Sequence, residues 1–582
     1  MSGSMAIGMK RLAIIDVAGG DQPIWNEDKT VAVVCNGEIY NYQELTAELK
    51  GRGHVFHTRS DVEVIVHLYE ELGEKSFTRL NGMFAAAIAD YRRSELVLAR
   101  DPFGQKPLYV WQESGILRFV SELKCFAWHP EFNRKISQKA LAQLLAFRYI
   151  PSPLTIFEKA TKLPPGTSLR ISASGQSTAR YWQIDLGPRS QKDVHHGGSI
   201  GKQLMASVAR HLMSERPLGV FLSGGVDSSA IVACMHGLGQ RRIHTYTVGF
   251  EGFPENEFSN AARVAKHFGT DHTEVTLTAS EFWDGLDTVL YAMDEPIADL
   301  TAYPVYRLSQ RARQDVVVVL SGEGADELLA GYEGSAYLRR FFDRLHTLRG
   351  LSPIARLGLR FPLPGVIKRR LRTLAGTDAD YLARNPSSMG ITFGDEYRRF
   401  YCPQLNNGTY VLADLSEYFA RRQDWHGLNL HLGGLIENWL PDELLHKADR
   451  ITMAHSLELR CPFLDMEFAA YCASLSLDAK VGCTDGEAFR KVALKKAFQN
   501  LLPEGIAYQP KKGFTIPVYC WLESLFAKNL THELQRKNGL GVSLFSSQAL
   551  QEISEKARSG DLLNQRRAWI VICLNKWGDR WL

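Results

Sequence analysis

A turn rich in glycine and serine near the middle of the chain carries residue types that bind phosphate. Residues 222–229 read Leu-Ser-Gly-Gly-Val-Asp-Ser-Ser, between an apolar run at 218–222 and a helical pattern at 230–235. Glycines let backbone N–H groups approach an anion, and the N-terminus of a following helix adds positive dipole. The carboxylate of Asp227 can hold Mg²⁺ against pyrophosphate oxygens. The pattern therefore predicts an anion-binding loop, with an ordinary Ser/Gly turn as the alternative.

A second turn with a different balance of charge follows the apolar run at 316–320. Residues 321–328 read Ser-Gly-Glu-Gly-Ala-Asp-Glu-Leu. Carboxylates do not suit a phosphate site without a metal, so we expect Asp326 to share Mg²⁺ with Asp227. Glu323 is then left to face a reacting group. The alternative is a helix whose first turn carries acids because the helix dipole favours them there.

The two turns and the segments around them resemble the glutamine-dependent asparagine synthetases, which contain an ATP-pyrophosphatase domain. The further matches, in chain order, are 247–250, 256–257, 268–272, 294–296 with Asp299, 440–442, 447–450, 453–460, 462–465, and 512–514 with Pro517 and Trp521. So many matches in the family's order make the resemblance specific over almost the whole chain.

The resemblance implies two domains. Residues 10–186 are expected to form an α+β, Ntn-hydrolase-like domain of layered sheets, a glutamine amidotransferase type-2-like domain that here lacks its first strand. Residues 199–582 are expected to form an α/β ATP-pyrophosphatase domain, similar to the adenine nucleotide alpha hydrolases, with a helical C-terminal part. Residues 187–198 are the expected linker. Residues 1–9 are expected to be a cloning remnant or a shortened start, with Met5 as a natural first residue.

Local patterns agree with this division. Residues 11–16, 31–35, 85–89 and 96–99 are typical of strands, and 61–72 has helical spacing. Strands alternate with helices up to residue 332, which predicts a parallel doubly wound sheet with ATP at the carboxyl ends of its strands. From about residue 339 the pattern is mostly helical.

The resemblance also assigns roles in ATP chemistry. The residues expected to contact ATP are Leu222, Ser223, Gly224, Gly225, Asp227, Ser228, Ser229, Val248, Ser321 and Gly322. Asp227 and Asp326 are the expected Mg²⁺ ligands. Lys491 aligns with the family's catalytic lysine and would neutralise the α-phosphate, with Arg490 and Lys495 as rivals. Glu323 matches the acid that interacts with the incoming amine.

The residues expected to bind the acyl substrate lie in and just after the matched segment 294–296. Glu295, Asp299 and Thr301 are the residues assigned to it. Leu300 and Thr301 differ modestly from the more usual small-residue and Ser pattern. A carboxylate other than aspartate therefore stays open as the substrate.

The glutamine half lacks its expected nucleophile. Family members begin Met-Cys-Gly, whereas no cysteine precedes Cys35 here and no Arg-Gly-Pro-Asp loop occurs. We expect Cys35 to be a small core residue, because it alternates with Asn36 along a strand. Ser2 lies too close to the glutamine pocket in sequence to replace the nucleophile. We therefore expect no glutaminase activity from this polypeptide.

The rest of the glutamine pocket is matched. The matched residues are Arg11, Asn36, Gly37, Glu38 and Asp61. In this expected turn the Asn36 amide and Gly37 N–H would stabilise an oxyanion. Arg11 would pair with the glutamine α-carboxylate, and Glu38 and Asp61 would bind its α-ammonium. The alternative is a scaffold that is retained for packing.

Composition and net charge limit the partners and the cellular location that we expect. The formal net charge is only +4 over 582 residues, which gives no electrostatic case for nucleic acid. No apolar run approaches membrane-spanning length, so no membrane partner is expected. Nine scattered cysteines without a CxxC pair indicate reduced thiols and a cytoplasmic location.

The predicted function is an ATP-dependent amide-forming ligase. It adenylates a carboxylate, aspartate or similar, and transfers ammonia to it, giving AMP and pyrophosphate. Its partners are therefore a small carboxylate and ammonia, with glutamine only if a nucleophile is supplied elsewhere, and a homodimer is expected from family habit. The alternatives are an amidotransferase acting on a specialised metabolite and a catalytically silent scaffold.

Overall fold

Two sheets of opposite strand arrangement organise the protein. The computed structural model describes residues 5–187, 199–384, 418–422, 424–484, 487–509, 521 and 530–582. Antiparallel sheets form the N-terminal half, and a five-stranded parallel sheet forms the C-terminal half. The expected linker lies outside the described residues except for Gly187, and the division into 10–186 and 199–582 stays a prediction.

The N-terminal half contains nine strands and four helices among its described residues. Its strands are β1 (Ile24–Trp25), β2 (Val31–Ile39), β3 (Gly82–Asp90), β4 (Glu95–Arg100), β5 (Tyr109–Glu113), β6 (Ile116–Val120), β7 (Ala160–Lys162), β8 (Thr167–Ser172) and β9 (Gly175–Arg180). Its helices are α1 (Tyr42–Gly51), α2 (Glu63–Leu72), α3 (Lys124–Ala127) and α4 (Gln138–Phe147). The sheet orders are β1-β2-β3-β4-β8-β9 and β6-β5-β7.

Alternation along β2 separates two cores. Cys35 packs into one cluster with residues of α1 and α2, whereas Val34 packs into another with residues of β5. Every residue of β3 is buried, because the strand is covered on both faces. The result is a layer of helices, a six-stranded sheet and a three-stranded sheet, as expected for layered sheets.

Strands β2, β3 and β4 confirm the strands predicted at 31–35, 85–89 and 96–99. Helix α2 confirms the helical spacing at 61–72. The strand expected at residues 11–16 is wrong, because this segment has no strand and ends in a bend at Asp16, with φ of 50°. Arg11 holds the bend by donating to the carbonyl oxygens of Ile15 and Asp16. Residues 1–4 lie outside the described residues.

The C-terminal half is built on a parallel sheet in the order β12-β11-β10-β13-β14. Its strands are β10 (Leu218–Phe221), β11 (His244–Phe250), β12 (Asp271–Leu277), β13 (Val318–Leu320) and β14 (Glu458–Arg460), with a separate hairpin of β15 (Val481–Thr484) and β16 (Glu487–Arg490). The strand order reverses between β10 and β13, so their carboxyl ends flank a crevice in which α/β proteins bind ligands.

Helices surround this sheet. Those before residue 385 are α5 (Ile200–His211), α6 (Val226–Gly237), α7 (Phe258–Phe268), α8 (Ala279–Asp284), α9 (Leu286–Met293), α10 (Ala302–Ala312), α11 (Ala325–Leu329), α12 (Glu333–Thr347), α13 (Ser352–Gly358), α14 (Gly365–Ala375) and α15 (Asp378–Arg384). Those after it are α16 (Gly427–Gly434), α17 (His446–Met453), α18 (Met466–Ser474), α19 (Leu477–Lys480), α20 (Val492–Phe498), α21 (Leu540–Leu544), α22 (Ser547–Arg558) and α23 (Leu562–Trp581), with a π-helix at Leu435–Leu445. Among the described helices, none combines the length and apolar character needed to cross a bilayer. The predominance of helices after residue 339 is confirmed.

Candidate active site

A cavity of about 940 Å³ opens at the carboxyl ends of β10 and β13. The predicted residues that line it are Leu222, Ser223, Gly224, Gly225, Asp227, Ser228, Val248, Thr301, Ser321, Gly322, Glu323, Asp326 and Lys491. Because β10 and β13 are parallel neighbours, the turns that follow them meet at one edge of the sheet. The fold thus brings together two loops that lie almost a hundred residues apart.

The first loop takes the form of an anion cradle. Gly224 has φ of 74°, and a Cβ there would lie 2.6 Å from the backbone nitrogen of Ala261, so the position requires glycine. The hydroxyls of Ser223 and Ser228 lie 3.1 Å apart, and α6 begins at Val226. The positive end of the α6 dipole therefore lies at the cavity wall.

Ser229 differs from its predicted neighbours. It is fully buried in α6 and does not line the cavity, whereas Ser228 does. The octapeptide pattern could not distinguish the two serines, because only the helix start decides which hydroxyl lies at the cavity wall.

Lys491 joins the two loops electrostatically. Its Nζ lies 2.5 Å from Asp227 Oδ2 and 2.6 Å from Asp326 Oδ1, and its side chain is 5% exposed. Burial opposes its charge, but the two carboxylates raise the pKa of Lys491 above its usual value. The residue lies directly before α20 and has φ of 53°, a region that non-glycine residues seldom adopt.

Gly331 makes the approach of these charges possible. A Cβ at this position would lie 1.9 Å from Asp326 Oδ1 and 2.1 Å from Lys491 Cε. Its backbone N–H donates to the Asp326 carbonyl oxygen at 2.9 Å. The glycine is therefore required by the ion pair that it touches, which its place in the sequence motif did not reveal.

A second cation, Lys447, lines the cavity next to the residues predicted to bind the acyl substrate. Its Nζ is 2.7 Å from Asp299 Oδ2 and 2.6 Å from Thr301 Oγ1. Burial opposes its charge, yet Asp299 and then Glu323 raise the pKa of Lys447. Burial opposes the charge of Asp299 as well, but the Lys447 ammonium holds the pKa of that carboxyl below its usual value. Asp299 and Thr301 thus position a buried ammonium beside Glu323.

Sequence reasoning assigned no role to Lys447. The available signal was its position in the matched segment 447–450, five residues after Asp442 and next to a buried helix. A lysine of α17 in a motif is otherwise typical of a solvated surface, so only its 6% exposure in the fold reveals it.

Glu295 is not brought into the cavity. It is fully buried, its Oε2 is 2.7 Å from Lys162 Nζ, and its Oε1 accepts the Ile156 N–H at 3.0 Å. Both partners belong to the N-terminal half. The predicted acyl-site residue therefore forms an ion pair between the two halves of the chain.

Other buried ion pairs join the halves. Lys106 Nζ lies 2.8 Å from Asp449 Oδ1, and Lys124 Nζ lies 2.9 Å from Asp294 Oδ1. Separating the two halves would leave each of these charges without its partner, which is costly for a buried charge. The pairs therefore fix the position of one half against the other.

A second cavity, of about 400 Å³, lies at this junction. All five predicted glutamine-pocket residues line it, namely Arg11, Asn36, Gly37, Glu38 and Asp61. Asn36 and Gly37 were expected in a turn, but they lie within β2 and pair with Ala85 and Phe84. A Cβ at Gly37 would lie 1.9 Å from the Met83 carbonyl oxygen, so close strand pairing explains this glycine.

Two buried acids face each other in this cavity. Burial, and then the neighbouring Asp61, raise the pKa of Glu38 well above its usual value. Burial raises the pKa of Asp61 to about 6. Arg460 Nη2 lies 3.4 Å from Glu38 Oε1 and offsets part of this cost. A bound ammonium group would lower the pKa of both carboxyls, so this end of the cavity suits a cation.

Two thiols also line the second cavity. Cys35 is 2% exposed, and burial followed by Asp61 raises its thiol pKa well above the usual value. Cys125 is exposed, but partial burial and then Glu122 raise its thiol pKa too. Because the thiolate is the nucleophile, neither environment activates sulfur. The prediction of Cys35 as a buried core residue is confirmed.

Comparisons with known proteins match a different family model to each half of the chain. A model of the asparagine synthase family matches residues 199–579, and a glutamine amidotransferase domain model matches residues 1–182. The chain belongs to the glutamine-hydrolysing asparagine synthetase family. Asparagine synthetase 1 (glutamine-hydrolyzing) of Bacillus subtilis is 30% identical over 584 residues, covering 98% of this chain and 89% of that protein. A Mycobacterium tuberculosis protein that carries the name asparagine synthetase (glutamine-hydrolyzing) provisionally is 32% identical over 593 residues. The match covers 99% of this chain and 89% of that protein.

Membership of the asparagine synthetase family makes this chain an asparagine synthetase-like carbon–nitrogen ligase that converts ATP to AMP and pyrophosphate. The solved structure of a glutamine phosphoribosylpyrophosphate amidotransferase from Bacillus subtilis overlaps 44% of this chain and 48% of its own. Its TM-score is 0.21 and its identity 19%, values too low to bear on the fold.

Proposed function

We propose that the chain adenylates a small carboxylate, with aspartate as the first candidate, and transfers ammonia to the activated acyl group. The observation that carries this proposal is the convergence of Asp227, Asp326 and Lys491 at the carboxyl ends of β10 and β13. Two half-buried acids and one buried lysine, on separate segments, lie beside the predicted anion-binding loop. That arrangement suits a polyphosphate with a bound divalent cation.

The donor set fits Mg²⁺. Asp227 and Asp326 offer carboxylate oxygens, the ligands that Mg²⁺ prefers, and both already converge on one cationic centre, the Lys491 ammonium. These two residues would hold the metal, which when bound neutralises charge on the phosphate oxygens. Lys491 would then exchange its contacts with the carboxylates for contacts with the α-phosphate.

In the first step a substrate carboxylate oxygen attacks the α-phosphorus of ATP. The bond from the α-phosphorus to the bridging oxygen breaks, and pyrophosphate leaves with the electron pair. Negative charge accumulates around the α-phosphate, where Lys491 and the backbone N–H groups of the loop at Gly224 and Gly225 stabilise it. The dipole of α6 adds to this stabilisation.

In the second step ammonia attacks the acyl carbon of the adenylate. The carboxylate of Glu323 accepts a proton from the nitrogen, and the acyl–oxygen bond breaks to release AMP. Glu323 helps to raise the pKa of Lys447, so the Lys447 ammonium lies close enough to orient the Glu323 carboxylate. Asp299 and Thr301 hold Lys447, which gives both predicted acyl-side residues a positioning role.

We further propose that the 582-residue polypeptide uses ammonia rather than glutamine. Among the described residues, the two thiols that line the glutamine cavity have raised pKa values. Arg11, Glu38 and Asp61 would still bind a glutamine-like amino acid. Binding without hydrolysis is the expected behaviour of this cavity.

A second candidate substrate class deserves a parallel assay. Thr301 lines the cavity and departs from the residue usual in the family, next to the Lys447 ammonium. A specialised-metabolite carboxylate would make its contacts here. The cytoplasmic location and the homodimer stay predictions, as does the silent-scaffold alternative.

The experiment that tests adenylation follows an oxygen atom. Aspartate labelled in its side-chain carboxylate with a heavy oxygen isotope is incubated with Mg-ATP, ammonium and the protein. Attack on the α-phosphorus transfers one labelled oxygen to AMP when ammonia displaces it. Label in AMP and asparagine as product support the proposal. Label in inorganic phosphate, with ADP formed, would refute it.

A further inference from the structure

Four side chains outside both cavities point their ligating atoms at one another. Glu27, His54, His67 and Glu70 each contribute one such atom, and all four atoms lie within 4.8 Å of one another. The residues come from separate segments, namely the turn between β1 and β2, the loop after α1, and α2. The fold therefore assembles the cluster where these three segments meet.

We propose that this cluster is a tetrahedral site for a divalent transition metal ion, zinc before others. Zinc bonds to histidine nitrogen and carboxylate oxygen of about 2.0–2.1 Å place tetrahedral ligand atoms roughly 3.3 Å apart. His54 Nδ1 lies 3.0 Å from Glu27 Oε1 and 4.0 Å from Glu70 Oε2. His67 Nδ1 lies 3.4 Å from Glu27 Oε2 and 3.4 Å from Glu70 Oε2. The distances bracket the tetrahedral edge, with Glu27 approaching the two histidines through different oxygens, so that a small rotation of its carboxylate selects the ligand atom.

Each histidine has a second carboxylate behind it. Glu71 Oε1 lies 3.3 Å from His54 Nε2, and Glu63 Oε1 lies 3.7 Å from His67 Nε2. Metal-bound histidines typically place the ring nitrogen that is not bound to metal against such a carboxylate, which orients the ring and increases its basicity. His54 has this arrangement, whereas the His67 Nε2 atom lies near Glu63 at a distance that exceeds a hydrogen bond.

The inner carboxylates are fixed by other contacts. Glu70 Oε1 accepts the Asn26 side-chain amide at 2.7 Å and lies 3.5 Å from Arg92 Nη1, so Oε2 is the atom left to face the histidines. Glu27 Oε1 accepts the Val55 N–H at 3.0 Å. These contacts bring the oxygens into place before any ion arrives, which reduces the cost of ordering them.

Burial suits a stable site with an entry path. The His67 side chain is 0% exposed, whereas those of His54 and Glu27 are 13% and 33% exposed. An ion can therefore enter from the Glu27 side and reach a buried ligand. Two imidazoles favour zinc or a similar transition ion over Mg²⁺ or Ca²⁺, which prefer oxygen alone.

The site has a structural consequence for the glutamine cavity. The ion would fasten the loop after α1 to the middle of α2, a helix that begins two residues after Asp61. The site itself needs neither cavity and does not depend on the proposed reaction. Its test can therefore succeed or fail independently of catalysis.

Zinc content is the direct measurement. The tag-free full chain is stripped with a chelator, incubated with a small excess of zinc sulfate, desalted and analysed by elemental emission spectrometry. We expect close to one zinc ion per chain, a higher melting temperature with zinc, and intense visible absorption from tetrahedral Co²⁺ in a parallel sample. Wild-type protein that retains no zinc would overturn the proposal.

Matched variants locate the bound ion. His54→Gln should weaken zinc binding at least about 100-fold, and Glu71→Gln about tenfold, the loss typical of an outer carboxylate. His57→Gln is the control, because His57 is exposed in the same loop and outside the cluster. His57 donates to Glu63 only through its backbone N–H, so this variant should bind zinc like wild type. Equal zinc content in all three folded variants would place the ion elsewhere and refute the assignment.

Discussion

Adding one methyl group at Gly331 tests the account of the active site most sharply. An alanine Cβ would lie 1.9 Å from Asp326 Oδ1 and 2.1 Å from Lys491 Cε. An ordinary contact begins near 3.4 Å, so the carboxylate oxygen must retreat by about 1.5 Å. Misplacing a catalytic group by about 1 Å can cost on the order of 100-fold in rate. That loss corresponds to about 2.7 kcal/mol of activation free energy.

The assay for Gly331→Ala is pyrophosphate release from Mg-ATP with aspartate and ammonium. Gly334→Ala is the control, because Gly334 is exposed near the start of α12 and a Cβ there meets nothing within 4 Å. Alanine should be neutral or slightly stabilising at that helical position. We expect a loss of about 100-fold for Gly331→Ala and an unchanged rate for Gly334→Ala, with both melting temperatures near wild type.

A rate for Gly331→Ala within about twofold of Gly334→Ala would refute the reasoning. It would mean that the close approach of Asp326 and Lys491 has no part in the chemistry. Loss of folding in Gly331→Ala alone would be visible in its melting curve, and Lys491→Gln, which removes the same ion pair without a clash, then provides a second reading.

Three further predictions concern the buried charges. Lys162→Met leaves the Glu295 carboxylate buried without its cation, so stability should fall by about 3–5 kcal/mol in denaturant unfolding, and adding Glu295→Gln should restore most of it; equal stability of the single and double variants would contradict this. Burial and the neighbouring Asp326 raise the pKa of Glu327 from 4.5 to about 7, so the folded chain binds the extra proton between these values and the contribution of Glu327 to stability falls as pH rises through that window. The melting temperature of Glu327→Gln relative to wild type should therefore increase from about pH 5 to about pH 8, and a constant difference would show that Glu327 does not titrate there. Lys491→Gln should lower pyrophosphate release about 100-fold or more, and Lys495→Gln considerably less; the opposite order would transfer the catalytic role to the rival lysine.

Much of the fold was predictable because the motifs lie where strands end. The turns at 222–229 and 321–328 each follow an apolar run, and parallel strands place such turns at one edge of a sheet. The strands at β2, β3 and β4 were visible as apolar runs, although the pattern underestimated their length. The segment 11–16 was misread as a strand, because its apolar residues pack in a bend that Arg11 holds together.

The contacts of individual side chains were less predictable. Glu295 and Asp299 lie four residues apart in one motif, yet Glu295 pairs with Lys162 across the chain and Asp299 pairs with Lys447 beside the cavity. Ser228 and Ser229 are adjacent, but only Ser228 lines the cavity. Each of these contacts depends on which residue of a distant segment packs beside the side chain. Spacing along the sequence carries no information about such long-range partners.

The cluster of Glu27, His54, His67 and Glu70 shows the same limit. Its histidines are separated by twelve residues, and no metal-binding motif joins them. Only the packing of the loop after α1 on α2 brings their Nδ1 atoms to the same place. A sequence scan would have recorded two unremarkable histidines.

Nitrogen-source dependence tests the central claim most directly. The 582-residue polypeptide is incubated with Mg-ATP and aspartate, with either ammonium or glutamine as nitrogen donor, and pyrophosphate, AMP and asparagine are measured. The account predicts all three products with ammonium and none above background with glutamine. Turnover with glutamine would contradict the argument from the two unactivated thiols of the second cavity, and no turnover with ammonium would contradict the proposed aspartate amidation.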